Sequence, residues 1–168
     1  QPSANNCGTI SSADELYVYS GETQLYNSDE EEATWPTLTP ETGYIFNGWY
    51  TAASGGSKVL TNTGALTGTA VSGYTSASAW AATANKTVYA QCSANTYTIT
   101  IKAGNGISSL ALSGWTNTGT ATMTKTLTYG NTLDLSTITP TYKSGYSGVE
   151  YVKTSGSGSI SGNTFTVG

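Results

Sequence analysis

Tyr97-Thr98-Ile99-Thr100-Ile101-Lys102 puts Tyr97, Ile99 and Ile101 on one side of an extended chain and Thr98, Thr100 and Lys102 on the other. A period of two marks a half-buried strand. The next residues, Ala103-Gly104-Asn105-Gly106, predict a tight turn in which Asn-Gly takes positive φ. Working outward, residues 87–92 repeat the alternation, with Val88, Ala90 and Cys92 on one face. Residues 122–129 do the same, setting Met123, Lys125, Leu127 and Tyr129 against threonines. Ser159-Ile160-Ser161 and Thr164-Phe165-Thr166-Val167 flank Gly162-Asn163 and read as a hairpin, and residues 16–19 read as a further short strand. Helical signals are sparse. Residues 75–84, rich in Ala and Ser around Trp80, predict at most a short turn of helix. The expected class is all-β, with little helix.

Composition agrees. Charged residues make up 10% of the chain, against a usual share of about 25%, while Tyr numbers 12 and Trp 4. Disorder pairs low hydrophobicity with high net charge and few aromatics, and here the net charge is only −4. Thr and Tyr both suit a pleated surface. There is no His, and every cation is Lys. Without Arg there is neither bidentate recognition of phosphate or guanine nor a basic stripe to release counterions, so no nucleic-acid partner is expected. No window is apolar for the ~18 residues of a membrane span, so no membrane insertion is expected within this chain. The opening residues 1–6 lack the basic and apolar regions of a signal peptide and read as the start of a mature or trimmed chain.

The absence of His removes the usual hydrolase triads and histidine-ligated zinc. There is no Gly-x-Ser-x-Gly elbow and no Walker loop, and no cofactor or metal is expected. Asp and Glu are present, so residue types do not exclude carboxylate-pair catalysis, which needs two carboxylates across a cleft. Glu41, Asp134 and Glu150 are candidates, but nothing in their spacing selects them. The run Asp29-Glu30-Glu31-Glu32 reads as a solvated loop and lacks the spaced ligands of a calcium loop. Cys7 and Cys92 read as a structural disulfide, with two free thiols as the alternative; a disulfide fits an oxidising, extracellular setting. Trp80 and Trp115 lie among small polar residues outside the clearest strands. They are candidates for ligand contact, weighed against ordinary core packing.

The chain also repeats itself. Thr37-Leu38-Thr39-Pro40 returns as Thr137-Ile138-Thr139-Pro140, and Gly43-Tyr44 as Gly145-Tyr146. Each copy then predicts a strand, residues 45–50 and 147–152, followed by a Gly/Ser turn at 54–57 and 155–158. Two related modules are expected: residues 1–93, an N-terminal extension with the first repeat, and residues 94–168, a second and divergent one.

The block Pro40-x-x-Gly43-Tyr44-Ile45-Phe46-Asn47-Gly48-Trp49-Tyr50, then Gly55-Gly56-Ser57-Lys58-Val59, then Lys86-Thr87-Val88-Tyr89-Ala90-Gln91, resembles the Listeria–Bacteroides repeat, also called the internalin-type B repeat. The likeness covers roughly residues 36–92, and residues 95–168 look like a more distant relative in which Glu150 and Tyr151 replace the Gly-Trp pair. Cys92 stands where the family has a closing Trp, which would staple that strand to Cys7. The resemblance implies small β-grasp-like modules strung along bacterial surface proteins and adhesins. It also implies extracellular display and binding or spacing rather than chemistry. In physical terms Tyr44, Phe46 and Trp49 are expected to supply much of the first core. Phe46 and Trp49 cannot share a face of a regular strand, so Gly48 is expected to mark a bulge or close approach.

The expected function is that of a secreted or cell-surface adhesin-like segment, stalk and binding module in one. Its partner would be a protein or glycan at a cell surface. An alternative follows from the second copy, which stops after its hairpin without a closing strand: a filament subunit that shares strands with further copies of itself. A carbohydrate-active enzyme is the third reading, and the expectation is that the chain is not an enzyme.

Overall fold

β-branched and aromatic residues at alternate positions, broken at short intervals by Gly, Ser and Asn, give many short strands and almost no helix. The computed structural model describes residues 1–168. It is all-β: its one helical element is a 3₁₀ turn at Leu135–Thr137, and no helix is long and apolar enough to cross a membrane. The chain divides into two compact units, residues 1–93 and 94–168.

The first unit holds β1 (Pro2–Ser3), β2 (Gly8–Ile10), β3 (Tyr17–Val18), β4 (Leu25–Tyr26), β5 (Glu32–Ala33), β6 (Leu38–Pro40), β7 (Tyr44–Tyr50), β8 (Lys58–Leu60) and β9 (Val88–Ala94). Its main sheet runs β1-β9-β7-β8, with β1 parallel to β9 and β8 antiparallel to β7. β2 pairs with β6, and β3, β4 and β5 form a small meander. Pro40 sits in the two-strand ladder opposite Gly8, where an edge strand tolerates a missing N–H. The register of β7 against β8 shifts between Trp49 and Tyr50, and Gly48 takes φ +125°. A Cβ on Gly48 would lie 2.6 Å from the Leu60 carbonyl oxygen. This irregularity breaks the pleat, so Phe46 and Trp49 both enter the core although three positions apart.

Around Trp49, which is fully buried, the rings of Phe46 and Trp35 stand edge-on at 5.4 Å, the geometry the ring quadrupole favours. Val59, Leu60, Val71, Val88 and Ala90 complete this core. Tyr44 does not join it. It is 41% exposed, at the first position of β7. Cys7 and Cys92 form a disulfide, with Cα atoms 5.5 Å apart, that ties the turn before β2 to β9.

The second unit holds β10 (Thr96–Lys102), β11 (Ile107–Ala111), β12 (Thr122–Thr128), β13 (Thr132–Asp134), β14 (Thr139–Tyr142), β15 (Ser159–Ser161) and β16 (Thr164–Thr166). β10 and β12 pair antiparallel along their full seven residues, with Ile101 opposite the fully buried Met123. β11 pairs with β14, and β16 lies between β13 and β15. Ile99 and Ile101 pack against a core of Leu110, Trp115, Met123, Leu135 and Ile138. Tyr97 alternates with them but stays partly exposed near the strand's start.

Three local expectations fail. The turn after β10 closes with Ile107 N–H donating to the Gly104 carbonyl, but no residue in it has positive φ. Gly106 is required there for another reason: a Cβ would meet the Tyr146 ring at 2.5 Å. Residues 75–84 form no helix; Thr75 makes isolated bridges to Val71 and Trp80 instead. Residues 147–152, expected to be a strand like 45–50, form none.

Candidate functional site

Trp80 and Trp115, the two candidates for ligand contact, are 6% and 7% exposed. Both are core residues. Trp115 packs with Leu110 and Met123 in the second unit. Trp80 stacks at a tilt on Trp35, its indole N–H donates to the Thr23 carbonyl at 3.3 Å, and its backbone exchanges hydrogen bonds with Gly21 and Glu22. Small neighbours in sequence hid the fact that other segments cover both rings.

Glu41 belongs to the first unit, while Asp134 and Glu150 belong to the second. Asp134 caps the 3₁₀ turn. The Ser136 hydroxyl and backbone N–H donate to it at 2.6 and 2.9 Å and hold its carboxyl below the usual carboxylate range. Glu150 sits on the exposed stretch without a strand. In the acidic run, Asn27 organises a turn by accepting the N–H groups of Asp29 and Glu31, with Glu30 at φ +60°. These carboxylates face solvent around an ordinary turn.

What the first unit does build is a cleft. It has a volume of about 400 Å³ and lies between β3 and the residues leading into β9. Its aromatic lining comes from Tyr17, Trp35, Tyr74 and one edge of Trp80. Its polar lining comes from Gln1, Glu15, Thr83, Asn85, Lys86 and Thr87. Local backbone logic explains each wall. In β3, Val18 packs toward the core, leaving Tyr17 about half exposed. Tyr74 follows Gly73, which takes φ +73° and turns the chain, and the Tyr74 hydroxyl donates to the Thr51 and Thr87 carbonyls at 3.5 and 3.4 Å. Lys86 lays its ammonium 5.4 Å over the Tyr74 ring. Residues 82–87 run along this wall without secondary structure. A second hollow, of about 410 Å³, is bounded chiefly by small residues such as Gly64, Gly68, Ala77 and Ser78 and presents no charged group.

The cleft is assembled from residues far apart in sequence, and sequence reasoning did not single out Tyr17, Trp35 or Tyr74 for it. Asn85 opens Asn85-Lys86-Thr87, the form of a glycosylation acceptor. The chain matches no protein-family model, no curated protein and no solved structure.

Proposed function

We propose that the chain is a segment of an extracellular surface protein, acting as stalk and binding module. The observation that carries this reading is the cleft of the first unit, where amphipathic aromatics and convergent polar groups line a space of ligand-binding size. Three further features support it. The Cys7–Cys92 disulfide suits an oxidising compartment. The chain carries two compact β units one after the other in sequence, as repeat-built surface proteins do. The Gly43–Tyr50 block resembles the repeat modules of bacterial surface proteins. The partner is a protein or glycan at a cell surface.

One observation favours the filament alternative. Residues 147–157 of the second unit make no backbone hydrogen bond that holds them in a sheet, and Val149 and Val152 stand exposed there, Val152 at 70%. Unsatisfied backbone beside apolar side chains is a template for a strand from another chain.

A single preparation tests both. The full chain is assayed for saturable binding to cell-surface extracts and for polymers by light scattering and electron microscopy. Saturable binding by a monomer is expected. Ordered polymers without surface binding would replace the first reading with the second, and the absence of both would overturn both.

A further inference from the structure

We propose that the cleft of the first unit binds a neutral carbohydrate unit. This rests on the reading of the chain as a surface binding module and names the chemistry of its ligand. A sugar ring offers patches of C–H on its faces and hydroxyls around its edge, each hydroxyl both donor and acceptor. The cleft offers the complement. Tyr17 is flat and about half exposed and combines an apolar body with a polar edge, while Trp35 adds partly exposed ring surface with its indole N–H buried. Around them stand an acceptor in Glu15, a donor in Lys86, and groups of both kinds in Asn85 and Thr83.

Other ligand classes fit less well. An anion would meet the Glu15 carboxylate beside the Lys86 ammonium and the Gln1 amino group, in a cleft without Arg. Both cations are already engaged, Lys86 over the Tyr74 ring and the Gln1 amino group on the Lys86 carbonyl. A lipid tail would leave the polar half of the lining without partners, which is costly once water is displaced. A nucleotide would need a phosphate cradle that these residues do not supply. The volume of about 400 Å³ lies within the range of about 300–1,000 Å³ for small-ligand clefts. The Tyr74 face is already occupied by Lys86, so Tyr17 is the platform whose loss the ligand should feel most.

The test uses the full chain on an immobilised panel of neutral and acidic oligosaccharides, followed by titration calorimetry with each one retained. Tyr17→Ala and Asn85→Ala are compared with Tyr146→Ala, an exposed tyrosine of the second unit, after thermal melts confirm that all three fold. The expected result is retention of at least one neutral oligosaccharide. Affinity should fall about tenfold or more in each cleft variant and stay unchanged in Tyr146→Ala. Retention of acidic oligosaccharides alone, no retention, or cleft variants that bind like the parent would each overturn the proposal. The same proteins are presented to a cell-surface extract before and after periodate oxidation of its sugars. Binding that survives periodate and Tyr17→Ala refutes the carbohydrate while leaving a binding module. No binding to either extract removes the underlying reading as well.

Discussion

Residues 44–50 and 146–152 begin alike, each after a Thr-x-Thr-Pro element and a Gly-Tyr pair, yet one becomes β7, within the main sheet of its unit, and the other forms no strand. Aligned on Gly-Tyr, all six following residues differ, and three of the differences bear on the core. Phe46 faces Gly148, Gly48 faces Glu150, and Trp49 faces Tyr151. In the first unit Phe46 and Trp49 supply ring area to the core, and Gly48 lets the backbone press against Leu60. In the second unit Gly148 brings no side chain to bury and takes φ +79° in open space. Glu150 carries a Cβ and a charge where the first unit has close backbone contact. Tyr151 alone keeps its role and packs against the core of its unit. A strand of this kind therefore depends on the aromatic pair and the glycine between them, more than on the residues that introduce it. The units also differ in charge. The first carries eight carboxylates against Lys58 and Lys86, and the second carries Asp134 and Glu150 against four lysines.

The largest expected effect separates the units by their covalent chemistry. Cys7 and Cys92 lie 85 residues apart, so the cross-link restricts nearly the whole first unit when unfolded. Replacing both by Ser is expected to cost that unit about 4–5 kcal/mol in the chain-entropy model. Hydrogen exchange reads it out by segment: protection in β7–β9 should fall, while β10–β12 keeps its own. Equal loss in both units would erase the distinction drawn between them.

A smaller effect sharpens the comparison of the two glycines. Gly48→Ala places a Cβ against the Leu60 carbonyl at φ +125°, and Gly148→Ala places one in open space at φ +79°. The expected costs are about 3 kcal/mol at Gly48 and about 1 kcal/mol at Gly148, from strain plus clash in the first and strain alone in the second. Denaturant unfolding of the two variants measures the gap. Equal costs would mean that the approach of β7 to Leu60 contributes nothing special to the first unit.

Much of this was open to reading from the residues, and the parts that were not share a cause. Alternation in 97–102 and 122–128 is local, and it located β10 and β12 and the inward face of Ile99, Ile101 and Met123. The conflict between Phe46 and Trp49 was also local, and it pointed to the irregularity at Gly48. Tyr44 was expected in the core but stands exposed at the start of its strand, and Trp80, buried by residues 21–23 and Trp35 as core packing requires, also lines the cleft. The missing strand at 147–152 shows that a shared introduction does not carry pairing with it. The cleft joins Tyr17, Trp35, Tyr74 and Asn85 through the tertiary fold alone, and no spacing in the sequence announces it.

Tyr151 provides the finest test of the correspondence with Trp49. Both polar groups are buried without a partner in the chain: the Trp49 indole N–H and the Tyr151 hydroxyl. Burial, with Tyr142 nearby, raises the Tyr151 pKa, as a hydroxyl shielded from water requires. If Tyr151 serves its unit through its ring, as Trp49 does, the hydroxyl contributes nothing and costs its own desolvation. Tyr151→Phe should then be neutral or stabilise the second unit by up to about 1 kcal/mol, less than for a fully buried group because the residue is only partly covered. Tyr151→Ala should destabilise it through the lost ring. Thermal unfolding of the two variants separates ring from hydroxyl. A destabilised Phe variant would show that the hydroxyl, unlike the indole of Trp49, is held by an interaction the second unit needs.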